Sequence, residues 1–140
     1  MRVVVDTNVL VSGLISRSGP PAQIVDAVIR GEIIPVMSEA TFAELEEVLH
    51  RSRLQPFFRN SQVTPFQLLT VLKAVAVFSK PRYSRARIRD PADRPFLELA
   101  NSHPVPDFIV TGDKDFEQDH YHGVPVISAS LFTKTILRSK

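Results

Sequence analysis

The sequence predicts an α/β domain with a mostly parallel sheet, and three observations support this prediction. Strand-like apolar runs alternate along the chain with segments of helical periodicity, as βαβ units require. The first run, Val3-Val4-Val5, is typical of a short strand buried on both faces in the middle of a parallel sheet. A chain of 140 residues suits one domain with a sizeable core, so residues 1–140 are predicted to form a single domain.

The composition is ordinary for a soluble globular protein, with 44% hydrophobic and 23% charged residues. Cysteine is absent, which excludes a disulfide framework, a thiolate metal site and a cysteine nucleophile. Asp6 and Asn8 interrupt the opening apolar run, so it does not resemble a signal peptide. No run approaches the roughly 18 apolar residues of a membrane span. We therefore expect a soluble protein of the cytoplasm without a membrane partner.

Charge is strongly segregated along the chain. Residues 51–89 contain no acid, whereas the remaining eight Lys and Arg residues accompany all fifteen acids. A basic middle beside an acidic remainder suggests an anionic partner held next to a cation-binding site. A solvated surface with a basic linker is the alternative. The nine basic residues of the segment are Arg51, Arg53, Arg59, Lys73, Lys80, Arg82, Arg85, Arg87 and Arg89.

Apolar spacing and capping residues predict the elements of the first half. A short helix over residues 9–15 precedes a break at 18–21, and a second helix begins at Pro21 or Ala22 and stops at Gly31. Residues 33–37 form a strand, after which Ser38 caps a helix that runs to about His50.

The middle is less regular. Residues 54–58 form a turn or a short helix, and Thr64-Pro65-Phe66-Gln67 is a capping box that opens a helix to Val75. Residues 76–78 are either an edge strand or the end of that helix. Residues 80–89 are polar, basic and interrupted by Pro81, which predicts a loop.

The last third resumes the alternation of helices and strands. Asp90 is the preferred cap of a helix to about Asn101, although Asp93 is a competing cap and Pro95 then lies a turn inside the helix. Strands follow at 107–111 and 124–127, the second placed at a sheet edge because of Pro125. A turn or helix separates them at 115–119, and Ser128 or Ser130 caps a final helix.

Four acids stand where a site could form. Asp6 and Asp113 each follow a strand, and in open α/β sheets ligands bind beyond the carboxyl ends of the strands. Glu44 borders the apolar stripe of its helix, and Asp93 lies on the core-facing stripe of another. Each has an ordinary alternative: Asp6 and Asp93 as helix caps, Asp113 as a loop residue after Gly112, and Glu44 as a solvated charge.

Four carboxylates brought together would repel one another unless a cation lay between them. An all-oxygen set favours Mg²⁺ or Mn²⁺, and such ions activate water for attack on a phosphodiester. The basic middle would hold the nucleic-acid backbone. His120 and His122 have no evident third ligand, so we interpret them as surface residues.

Several motifs occur together in the order and spacing of a known family. They are Asp6-Thr7-Asn8-Val9-Leu10, Ser38 with Glu44, Asp90-Pro91-Ala92-Asp93 with Phe96 and Ala100, and Val110-Thr111-Gly112-Asp113-Lys114-Asp115. Nearly the whole chain thereby resembles the PIN-domain family of nucleases, and most closely its branch of VapC-like toxins from prokaryotic toxin–antitoxin systems.

The resemblance implies a three-layer α/β/α fold and a Mg²⁺- or Mn²⁺-dependent ribonuclease. It places the catalytic and metal-binding acids on Asp6, Glu44, Asp93 and Asp113, with Asp115 as an accessory acid and Asn8 and Thr111 as supporting groups. It also implies a homodimer and inhibition by a cognate antitoxin protein. The chain departs from the branch at Arg94 and Pro95, where another acid is common.

The functional hypothesis is RNA cleavage by metal-activated water. Phosphate contacts would come from Arg82, Arg85, Arg87 and Arg89, with Tyr83 stacking on a base, unless this loop faces the antitoxin. A phosphatase of the haloacid dehalogenase type would need a second Asp at position 8, where Asn stands, and a Gly-rich phosphate loop is lacking. A catalytically inactive RNA- or protein-binding module on the same fold remains the alternative.

Overall fold

A computed structural model describes residues 1–59, 61–88, 90–112 and 119–137. The described strands are β1 (Arg2–Val5), β2 (Ile34–Met37), β3 (Val77–Phe78), β4 (Phe108–Thr111), β5 (His120–Tyr121) and β6 (Val124–Ser128). The described α-helices are α1 (Thr7–Ile15), α2 (Pro20–Arg30), α3 (Glu39–Leu49), α4 (Gln55–Phe58), α5 (Pro65–Val75), α6 (Arg94–Leu99) and α7 (Ala129–Phe132), the last continued by a π-helical turn over Thr133–Leu137.

The described strands form one sheet in the order β3-β2-β1-β4-β6-β5. All neighbouring pairs are parallel except β5 and β6, which confirms the predicted mostly parallel sheet. The first strand lies inside the sheet, where Val5 pairs in register with Val110 of β4. The carboxyl ends of β1 and β4, and therefore Asp6 and Gly112, lie at the same edge.

Two apolar clusters, one on each face of the sheet, confirm the three-layer α/β/α arrangement. Val3 and Val5 point to the face covered by α1, α2, α3, α5 and α7. Val4 points to the opposite face, which is covered by α6, Tyr121 and two residues of the basic loop, Ala86 and Ile88. The loop therefore forms part of the second helical layer.

Several capping predictions are confirmed. Thr64 and Gln67 form the predicted capping box of α5, and Ser128, the first of the two candidate caps, accepts a hydrogen bond from the Leu131 amide at 3.1 Å. The segment after α5 is the edge strand β3.

The placement of Pro125 at the sheet edge is wrong. His122 and Gly123 turn the chain so that the two-residue strand β5 pairs antiparallel with β6, opposite Pro125, and β5 becomes the edge. A two-residue strand carries too little periodicity to be recognised in sequence.

The start of α6 resolves the conflict between the two prolines. Asp90 caps a 3₁₀ turn over Pro91–Asp93 by accepting from the Ala92 amide at 3.0 Å, and the α-helix begins only at Arg94. Pro95 is then the second residue of α6, where its missing amide hydrogen costs no helical hydrogen bond. The helix ends at Leu99, slightly before the predicted end.

Candidate active site

Asp6 lies at the carboxyl end of the inner strand β1 and is only 2% exposed. Its Oδ1 accepts a hydrogen bond from the backbone amide of Asn8 at 3.2 Å, and so it caps α1. Its Oδ2 accepts from the hydroxyl of Thr111, at the end of neighbouring β4, at 3.4 Å. The capping role and the expected position at the sheet edge are therefore compatible. Thr111 contacts this carboxylate through its side chain, whereas Asn8 contributes its backbone amide.

Glu44 reaches the same edge from α3. A capping box between Ser38 and Thr41 fixes the start of the helix, and buried Leu45 and Leu49 fix its rotation. The half-buried carboxylate of Glu44 then accepts a hydrogen bond from the side chain of Thr7, the residue after Asp6.

The electrostatic surroundings of Glu44 raise its pKa. Burial is the largest cause, because it disfavours the charged form. The hydrogen bond from Thr7 and the positive charge of Arg51 lower the pKa, whereas the negative charges of Glu47 and Asp90 raise it. The helix that carries Glu44, α3, also contacts α6, which follows the 3₁₀ turn over Pro91–Asp93.

Asp93 ends that 3₁₀ turn and is 7% exposed, which agrees with its predicted place on the core-facing stripe. The following helix, α6, buries Phe96 and Leu97 and contacts both α3 and β1. Asp93 therefore stands at the start of the helix that packs against the elements carrying Asp6 and Glu44.

The geometry links Asp6 to Thr111 directly, and it links Glu44 to Thr7, the residue that follows Asp6. Within the described residues, no three His, Asp or Glu side chains are close enough together to hold a metal ion. Asp113 and Asp115 lie outside the described residues. The convergence of the four acids accordingly stays a prediction.

Residues 82–88, which we call the basic strap, run without helix or strand across the second layer. Ser84 is buried, and Ala86 and Ile88 pack against the apolar cluster of the second layer. The other side chains of the strap are exposed, namely Arg82, Tyr83, Arg85 and Arg87. Arg89, the remaining predicted RNA contact, lies outside the described residues.

His120 and His122 are exposed, as predicted. His120 contacts Asp119 through Nδ1, and Nε2 of His122 lies 2.7 Å from Oγ of Ser84. A cavity of about 360 Å³ lies elsewhere, between α2 and α5, and is lined by apolar residues including Ile29 and Phe66. It contains none of the candidate acids, so we do not assign the chemistry to it.

Two residues that contact the candidate site or the basic strap were not identified from the sequence. Thr7 connects Glu44 to the Asp6 segment, and its position directly after Asp6 was an available signal. Arg94 donates hydrogen bonds to two carbonyl oxygens of the basic strap. The sequence feature that could have identified Arg94 is that the resembled branch often has an acid at this position.

Comparison with known proteins agrees with this arrangement. The sequence matches the family described as PIN domain over residues 2–115, a range that includes all four candidate acids. It is also similar to the uncharacterized protein MJ1680 of Methanocaldococcus jannaschii, with 30% identity over 115 residues that cover 82% of this chain and 72% of the relative. None of the solved structures matches the chain significantly.

None of the described helices is long and apolar enough to cross a membrane.

Proposed function

Because the chain belongs to the PIN-domain family, whose members are generally nucleases, we propose that it is a Mg²⁺- or Mn²⁺-dependent endoribonuclease. The observation that carries the proposal is the buried carboxylate of Asp6 at the carboxyl end of an inner parallel strand, hydrogen-bonded from the neighbouring strand by Thr111. Ligands of open α/β sheets bind at this edge.

The chemistry of the candidate carboxylates suits a hard divalent cation. Asp6 and Asp93 are buried carboxylates, and Glu44 has a raised pKa that a nearby cation would lower. Oxygen ligands without sulfur favour Mg²⁺ or Mn²⁺. Asp6, Glu44, Asp93 and Asp113 would hold the ion, with Asp115 as an accessory ligand.

A bound ion would supply a water of lowered pKa and would neutralise charge on the phosphate. The protein would hold Asp6 in one orientation through the Asn8 amide and the Thr111 hydroxyl. Glu44 would orient the attacking water or accept its proton. Attack at phosphorus breaks the bond to the 3′ oxygen, which takes up a proton, and leaves a 5′-phosphate and a 3′-hydroxyl.

The basic strap would bind the RNA backbone beside this edge. Its exposed side chains, Arg82, Tyr83, Arg85 and Arg87, offer guanidinium groups for phosphates and one ring for stacking on a base. Arg89 is proposed as a further phosphate contact from its place in the sequence.

The decisive experiment is an RNA cleavage assay with Mg²⁺, with Mn²⁺ and with a chelator, comparing the wild type with Asp6→Asn. Asn caps helices as well as Asp does, so the variant should fold while losing one carboxylate. We expect at least a hundredfold loss of cleavage, and abolition by the chelator.

Asp107→Asn is the matched control, because Asp107 stands at the opposite end of β4 and accepts a hydrogen bond from the Arg2 amide at 2.8 Å. It should retain activity. Cleavage that needs no metal, or that survives in Asp6→Asn, would contradict the mechanism. Binding of RNA without any cleavage would favour an inactive binding module.

We further propose that the protein is the toxin of a cytoplasmic toxin–antitoxin pair and acts as a homodimer. This assignment rests on the motif resemblance alone. Growth arrest on expression of the wild type, relieved by Asp6→Asn, would support a toxin, and light scattering after size exclusion would test the dimer. Normal growth with an active enzyme would contradict the toxin role.

A further inference from the structure

We propose that Arg94 is a positioning residue that fixes the basic strap in its RNA-binding conformation. This inference rests on the proposed ribonuclease function. Arg94 is the first residue of α6 and directly follows the candidate ligand Asp93. Its own charge, however, is directed to the protein and not to the solvent.

The guanidinium group of Arg94 holds two points of the strap backbone. Nη1 donates to the carbonyl oxygen of Ser84 at 2.8 Å, and Nη2 donates to that of Ala86 at 3.3 Å. In an extended backbone, the carbonyl groups of residues two apart point to the same side. The planar fork of Arg suits two such acceptors at once, whereas Lys offers a single ammonium group.

Other contacts secure the same segment. The hydroxyl of Tyr121 donates to the carbonyl of Arg87 at 3.1 Å, and Ser84 Oγ lies 2.7 Å from His122. Ala86 packs into the apolar cluster of the second layer. The side chains of Arg85 and Arg87 are exposed. Residues two apart share one face of an extended chain, about 6.6 Å apart, so we infer that the anchored strap presents both arginines together.

The consequence is that Arg94 lowers the cost of RNA binding without touching RNA. A strap that is already extended loses less conformational entropy on binding than a mobile one. The arginine also links the strap to the helix that starts beside Asp93, so the phosphate contacts and the candidate metal ligand share one rigid support.

The test compares Arg94→Gln with the wild type by limited trypsin digestion and by RNA binding in a chelator, where no cleavage occurs. Trypsin cuts after Arg85 and Arg87, so release of the strap should speed cleavage there about tenfold or more. The dissociation constant for RNA should rise three- to tenfold, and with Mg²⁺ the same rise should appear in KM while kcat stays within twofold.

Arg30→Gln removes one exposed arginine outside the basic segment 51–89 and controls for charge. Arg94→Lys separates positioning from direct attraction, because it keeps the charge and loses the fork, and it replaces Arg94→Gln if that variant does not fold. Full affinity and trypsin resistance in Arg94→Lys would overturn the proposal, as would unchanged digestion of Arg94→Gln. A wild type that cleaves no RNA would refute the proposed function, whereas the trypsin comparison would still decide whether Arg94 holds the strap.

Discussion

At the residue scale, Glu44 shows why a sequence pattern alone left its role open. Its place beside the apolar stripe of α3 was visible, but Glu46 and Glu47 share the same segment. The structure distinguishes Glu44 by its hydrogen bond from Thr7 and its raised pKa. Such contacts join residues far apart in sequence, so spacing could indicate the candidate without selecting it.

The raised pKa of Glu44 predicts a pH-dependent stability. At a pH between the ordinary value for Glu and the raised value, the folded protein keeps a proton that the unfolded chain releases, so stability falls as pH rises through this window. Glu44→Gln has no such proton. In urea denaturation, the free energy of unfolding of the variant should therefore rise relative to that of the wild type as pH rises. The change should be less than about 1 kcal/mol, because solvent screens a half-exposed carboxylate.

Glu46→Gln makes the same chemical change two residues further along α3 and controls for it. Mg²⁺ should reduce the stability difference between Glu44→Gln and the wild type at the higher pH, since a bound cation favours the ionised wild-type side chain. A stability difference that is constant with pH would contradict the raised pKa.

At the element scale, the closest packing is between α1 and α2. Gly13 is buried where the helices meet, and a Cβ atom there would lie 2.5 Å from the carbonyl oxygen of Pro21 and 2.6 Å from Cγ2 of Val25. The first of these atoms belongs to the backbone, so it cannot be relieved by a rotamer change. This packing holds α1, and with it the cap at Asp6.

Gly13→Ala should therefore destabilise the fold. The gain of about 1 kcal/mol in helix propensity is outweighed by overpacking, and we expect a net loss of about 1–3 kcal/mol in the free energy of unfolding. Urea denaturation followed by circular dichroism measures it. Ser12→Ala, at the exposed neighbouring position, should change stability by less than about 0.5 kcal/mol. An unchanged free energy of unfolding in Gly13→Ala would mean that the two helices can move apart at little cost.

The elements also show what sequence can predict. Helices and strands with long apolar periodicity or clear caps, such as α2 and α5, were located within a few residues. The short strand β5 was missed, and with it the inner position of Pro125. Burial of Asp93 followed from periodicity, whereas the anchoring of the strap depends on pairs up to 38 residues apart, such as Ser84 and His122, that no local pattern encodes.

At the scale of the whole molecule, the basic strap and the best-defined acid lie on neighbouring parts of the fold. Part of the basic segment forms the strap, which packs on the second layer, and Asp6 stands at the carboxyl edge of the sheet. Positive charge beside a carboxylate site would attract RNA and keep its backbone near the proposed cation. Association should therefore depend strongly on salt.

The double variant Arg85→Ala/Arg87→Ala tests this arrangement. Each lost phosphate contact to a single strand should reduce the slope of log affinity against log salt by about 0.7, so the double variant should lose about 1.4. Arg30→Ala/Lys134→Ala removes the same charge from exposed positions outside the basic segment 51–89 and should leave the slope close to that of the wild type. If both double variants lower the slope equally, RNA responds only to net charge. If neither does, the strap does not bind the backbone, and its arginines must face another partner.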